Sequence, residues 1–118
     1  RLPTKFTSSI DLDGDRGAVF AQVEAFCGTS VSIYATHFDC NDSQNVRLCE
    51  ATMLLAHQAE TVDPLEVTLV VGDFNQPRRP DYLEEEWKQI VQSRANRAAP
   101  EDDGVDALFV AHGFHCCF

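Results

Sequence analysis

The sequence predicts an α/β fold, and three features predict it. Two stretches of period-two alternation, at residues 18–26 and 31–36, are joined by the turn-like Cys27-Gly28-Thr29-Ser30. A helix-spaced apolar pattern then leads into a nearly continuous apolar run, Glu66-Val67-Thr68-Leu69-Val70-Val71, between Pro64 and Gly72. A second helical segment and a further apolar stretch at 105–110 complete the order strand, strand, helix, strand, helix, strand.

Each element has its own justification. Residues 1–17 are polar and turn-rich, so no strand is expected there. In 18–26, Val19, Ala21, Val23 and Ala25 alternate with Phe20, Gln22 and Glu24, and the strand at 31–36 runs antiparallel to it and delivers His37 at its end. Asp42 or Ser43 caps a helix running to about Thr61, with Val46, Cys49, Met53 and Ala56 on its inner face, broadened by Leu48, Leu55 and Ala59. Cys49 and Met53 are thus expected in the core, and His57 is expected to be exposed. The run at 66–71 suits a central strand buried on both faces. Asp81, with Glu84 three residues on, caps a second helix whose inner face is Leu83, Trp87, Ile90 and Val91, with the Trp87 indole N–H at the rim. Residues 93–104 read as a polar loop and 105–110 as the last strand.

Composition narrows the class. With 118 residues, 44% of them hydrophobic and 24% charged, the chain fits a single globular domain with a modest core. Arg1 in place of Met, and an apolar stretch at 114–118, lead us to expect a partial domain spanning 1–118. A net charge of −10 argues against a protein that coats nucleic acid and suits cation binding, although surplus carboxylates also simply keep a surface solvated. The five cysteines form no C-x-x-C pair and leave one unpaired under any scheme, which favours a reduced, cytoplasmic setting. No run approaches the ~20 apolar residues of a membrane span.

Polar groups stand where the predicted strands run out: His37, the pair Asp73 and Asn75, and Asp106. Asp73 and Asn75 are two apart, so in extended chain both leave one face, and a carboxylate beside an amide can orient a water and steady a phosphoryl oxygen. On composition alone, Gly72-Asp73-Phe74-Asn75 equally suits a strand-ending turn. Asp11, Asp13 and Asp15 hint at a calcium loop, but Arg16 stands where such a loop needs Gly and Gln22 where it needs Glu. The His and Cys residues of 112–117 match no zinc spacing. Arg78 and Arg79 follow Asn75 closely and read either as a solvated loop or as phosphate contacts.

In order and spacing, Thr36-His37-Phe38-Asp39, then Arg47 and Glu50, then Gly72-Asp73-Phe74-Asn75, then Gly104-Val105-Asp106-Ala107-Leu108-Phe109-Val110, resemble the second half of the endonuclease/exonuclease/phosphatase catalytic domain, deoxyribonuclease I among its members. The resemblance covers residues 16–118. It implies a four-layered α/β sandwich, of which this chain supplies one mixed, mainly antiparallel sheet and two covering helices. It implies hydrolysis of phosphodiester or phosphomonoester bonds with Mg²⁺, or Mn²⁺ in its place. Asp73 would activate the attacking water, Asn75 would hold the scissile phosphate, and the two would bind the metal. His37 would contact the phosphate or protonate the leaving oxygen, Asp106 would steer a histidine near the family's C-terminus, and Arg47 and Arg78 would contact phosphate. The substrate stays open among nucleic acids, inositol phosphates and lipid head groups.

The departures are specific. The family's Gln-Glu element, which supplies its main metal ligand, and its closing Ser-Asp-His element are both absent, and Glu50 stands where Gln is usual. The chain therefore holds about half of the expected site and is expected to be inactive without the remainder of the domain. The competing reading is a non-catalytic interaction module on the same scaffold.

Overall fold

The computed structural model describes residues 4–12, 16–25, 28–40 and 45–117. The expected helix cap at Asp42 or Ser43 and most of the aspartate-rich loop (13–15) lie outside these residues, as does Cys27 of the predicted turn. Four strands form one sheet in the order of the chain: β1 (Thr4–Asp11), β2 (Gly17–Glu24), β3 (Ser30–His37) and β4 (Val67–Asp73). The β1–β2 and β2–β3 pairs are antiparallel, whereas β4 joins β3 in parallel after the crossover helix α1 (Val46–Thr61). A parallel neighbour requires such a crossover. Helices α2 (Glu84–Asn96) and α3 (Val105–Ala111) follow, α2 preceded by a short 3₁₀ turn at Arg79–Asp81. The fold class is α/β with a mixed sheet, as expected. Among the described residues, no helix is long and apolar enough to cross a membrane.

Several elements correct the sequence reading. Residues 4–11 form a strand after all. Its inward residues are Phe6, Ser8 and Ile10, with Ser8 opposite Phe20 and Ile10 opposite Ala18, so the apolar signal is diluted by serine. Residues 105–110 are helical, not extended. Gly104 caps the helix from the left-handed region at φ 84°, and Val105, Leu108 and Phe109 fall at the i, i+3, i+4 spacing of one helix face. The apolar helix pair is accordingly α1 with α3, which pack on each other, and not α1 with α2. Helix α2 begins after Leu83 rather than Asp81; Leu83 is exposed, Trp87 is half-buried, and only Arg94 is buried along its length. The Trp87 ring packs beside Tyr82 and under the Arg79 guanidinium, with its N–H donating to Glu101.

Helix α1 is also rotated from its expected setting. Its buried positions are Arg47, Glu50, Ala51, Leu54 and Leu55, whereas Cys49 and Met53 face outward. Two charged residues on the inner face hid that face from a search for apolar periodicity. His57 is half-buried: its Nδ1 lies 3.0 Å from the Tyr34 hydroxyl and its ring packs edge-on to Phe20 and Tyr34. Burial, and then the nearby Glu66 carboxylate, push the Tyr34 hydroxyl up from 10.0 to about 12. Phe20, Tyr34, Phe38, Leu54 and Leu55 form the centre of the core, on the α1 side of the sheet.

The opposite side of the sheet is open, so β4 is not buried on both faces. Val67, Leu69 and Val71 are 52, 41 and 46% exposed. In register they extend three aliphatic rows across the sheet: Val19, Ala35 and Val71; Ala21, Ile33 and Leu69; Val23, Val31 and Val67. Among the described residues nothing covers these rows. Such a face agrees with the expectation that this sheet is one layer of a larger sandwich.

Candidate functional site at the β3–β4 rim

The parallel register of β3 and β4 pairs Thr36 with Gly72 and His37 with Asp73. Two polar side chains, separated by thirty-five residues of sequence, thereby reach the same edge of the sheet. His37 Nε2 lies 4.0 Å from Asp73 Oδ2, and both side chains are more than half exposed. Gly72 makes this closeness possible. Its φ is +142°, and a Cβ there would stand 1.8 Å from the Thr36 carbonyl oxygen. Only glycine fits such a backbone approach.

Beyond β4 the chain turns back through Asn75, which sits in the left-handed region at φ 50°, a conformation asparagine tolerates better than most residues. The Asn75 backbone N–H donates to Asp73 Oδ1 at 2.8 Å, closing an Asx turn. The Asn75 side-chain Nδ2 donates to the Phe38 carbonyl at 2.7 Å, which fixes the amide orientation because a carbonyl can only accept. The Phe38 N–H in turn donates to the Asp73 carbonyl at 2.9 Å, so the two strand exits are tied together. His37, Asp73 and Asn75 therefore lie together at one rim.

The remaining predicted residues occupy two other places. Asp106, in the first turn of α3 and not at the start of a strand, has its Oδ1 3.1 Å from Arg78 Nε. Arg78 also faces Asp81 at 3.8 Å. Burial opposes the Arg78 charge, but Asp106, Cys116 and Asp81 outweigh it, and the guanidinium is held more firmly protonated than usual. Arg47 is a correction of place. It is 4% exposed, its Nε meets Asp103 Oδ2 at 2.5 Å, and its Nη1 donates to the Asp39 carbonyl at 3.1 Å. It braces the turn from inside and does not stand at the rim where the resemblance implied a phosphate contact.

Beside Asn75 a cavity of about 490 Å³ opens against α2, walled by Pro77, Tyr82, Ile90 and Arg97. Asp73 and Asn75 offer one carboxylate and one amide carbonyl, hard oxygen donors of the type Mg²⁺ prefers. Among the described residues, no three His, Cys, Asp or Glu side chains gather closely enough to hold a metal ion. As donor types the two suit a hard divalent cation, and by themselves they do not complete a site for one. The four described cysteines, Cys40, Cys49, Cys116 and Cys117, are free and exposed.

No family model matches the chain, and no curated protein matches it either. Among solved structures, it is similar to the human Nocturnin catalytic domain with bound sulfate anion, with a TM-score of 0.58 and 24% sequence identity. That similarity covers 79% of this chain and 36% of the other. The likeness is one of fold. This chain spans about a third of that neighbour's length.

Sequence reasoning missed Asp103, Arg94 and the buried role of Glu50. Asp103 is 9% exposed and faces the Arg47 and Arg94 guanidiniums at 2.5 and 4.0 Å. A pairing across fifty-six residues leaves no local mark in one sequence.

Proposed function

We propose that this chain carries the phosphate-handling part of a metal-dependent phosphoesterase, hydrolysing phosphodiester or phosphomonoester bonds. The observation that carries the reading is the register of β3 and β4, which sets His37 across from Asp73 beside the Asn75 turn. The bound sulfate of the structural neighbour is a tetrahedral oxyanion, as phosphate is, and supports the same substrate class.

In this reading Asp73 accepts the proton of an attacking water through Oδ2, while its Oδ1 stays committed to the Asn75 N–H. Asn75, its amide nitrogen anchored on Phe38, keeps its Oδ1 as an acceptor that would help hold the metal, and steadies the phosphate. His37 protonates the leaving oxygen. Arg78, steadied by Asp106, adds positive charge on the phosphate's flank. A Mg²⁺ ion held by Asp73 and Asn75 would neutralise charge developing on the phosphoryl oxygens. The missing Gln-Glu and Ser-Asp-His elements, together with the open face of the sheet, support reading this chain as one part of a larger catalytic unit. Alone we expect it to be inactive.

The test is turnover of generic phosphodiester and phosphomonoester substrates with Mg²⁺ by the complete catalytic unit, beside an Asp73→Ala variant. We expect Asp73→Ala to lose at least about 100-fold in rate, the lower range for removing a positioned base. Equal turnover by both proteins would remove Asp73 from the reaction, and absence of turnover by the unsubstituted protein would favour a binding module.

A further inference from the structure

Glu50 is fully buried at 0% exposure, yet the rim chemistry described above does not use it. Its surroundings give it a task. Glu50 Oε2 accepts the backbone N–H of Asp39 at 2.9 Å. That N–H belongs to the same peptide group as the Phe38 carbonyl, which accepts the Asn75 side-chain amide at 2.7 Å. A trans peptide group is planar, with its N–H and C=O pointing in opposite directions. Glu50 and Asn75 therefore hold opposite edges of one rigid plate. The next carbonyl along, that of Asp39, is held by Arg47 Nη1 at 3.1 Å, one turn of α1 before Glu50.

We propose that Glu50, with Arg47, is a positioning residue of the rim site, setting the tilt of the 38–39 peptide plane and through it the placement of the Asn75 amide. The pull is electronic as well as geometric. A carboxylate drawing on the N–H polarises the peptide and strengthens its carbonyl as an acceptor, so the two hydrogen bonds reinforce each other. Burying an acid is costly unless it is hydrogen-bonded, and here the carboxylate accepts the Asp39 N–H that an apolar side chain would leave without a partner. Burial pushes the Glu50 carboxyl upward; the Asp39 N–H opposes this, the Asp39 carboxylate adds to it, and Arg16 and Arg47 also oppose it. Glutamate here thus makes the plate's setting titratable, which glutamine would not.

The catalytic meaning of this placement rests on the proposed role of Asn75, but the placement itself is read without turnover. The experiment is a pH titration of the protein by NMR, following the Asp39 backbone amide and the Asn75 side-chain NH₂. We expect both to shift with one shared midpoint above the ordinary glutamate range. Glu50→Gln should keep both hydrogen bonds while abolishing the shared transition. Glu50→Leu should keep the fold but speed exchange of the Asn75 NH₂ protons about tenfold, the loss of roughly one hydrogen bond. An Asn75 resonance that ignores the Asp39 transition, or a shared transition that survives in Glu50→Gln, would overturn the inference. Neither result depends on whether Asp73→Ala abolishes hydrolysis.

Discussion

Gly72 is the residue on which the closeness of the rim depends, and replacing it with alanine gives a prediction with a worked magnitude. The Gly72→Ala Cβ would meet the Thr36 carbonyl oxygen at 1.8 Å and the Thr36 carbonyl carbon at 2.8 Å. Both are backbone atoms of a paired strand and have no rotamer to escape into. The φ of +142° is itself strained for any residue with a side chain. Such backbone strain costs about 1–3 kcal/mol and overpacking a filled site costs a similar amount, so we expect a loss of about 4 kcal/mol. Gly113→Ala is the matched control. It also has a positive φ, +83°, but a Cβ there meets nothing within 4 Å. Its expected loss is therefore only about 1 kcal/mol, the left-handed penalty alone. The assay is urea unfolding followed by far-ultraviolet circular dichroism, comparing midpoints at constant slope. A gap between the two variants smaller than about 1 kcal/mol, below even the low end of the overpacking range, would refute the idea that steric exclusion at Gly72 locks β3 to β4.

Two further outcomes follow from the packing. Tyr34 keeps its proton in the fold up to about pH 12, against 10.0 for the unperturbed group. The folded state therefore binds more protons than the unfolded state in that window, and stability should be full below pH 10 and decline as pH rises toward 12. Urea midpoints measured across that range should fall less steeply in Tyr34→Phe; an identical decline would assign the effect to other groups. On the open side of the sheet, Leu69→Asp replaces a side chain that is 41% exposed. It should change stability by no more than about 0.5 kcal/mol while reducing self-association and binding of an apolar dye. A large loss of stability would mean that the face is covered after all.

Local pattern in the sequence determined much of the architecture. Strands β2, β3 and β4 and helices α1 and α2 are legible because alternation, helical spacing and Pro or Gly punctuation are properties of neighbouring residues. The rim residues were legible for a related reason: His37 and Asp73 sit where apolar strands end, and strand ends in an open sheet gather polar groups. Failures occurred where tertiary contacts overrule local pattern. The inner face of α1 carries Arg47 and Glu50, whose burial is compensated by Asp103 and the Asp39 backbone from distant parts of the chain. Segment 105–110 carries too few residues for period two and period 3.6 to be separated, and its packing against α1 and Phe74 chose the helix. The sequence by itself fixed which residues can do chemistry, since residue type sets donors, acceptors and charge. Only the tertiary structure decided which of them meet: a parallel register and a glycine without a Cβ bring His37 to Asp73, and one shared peptide plane joins Glu50 to Asn75.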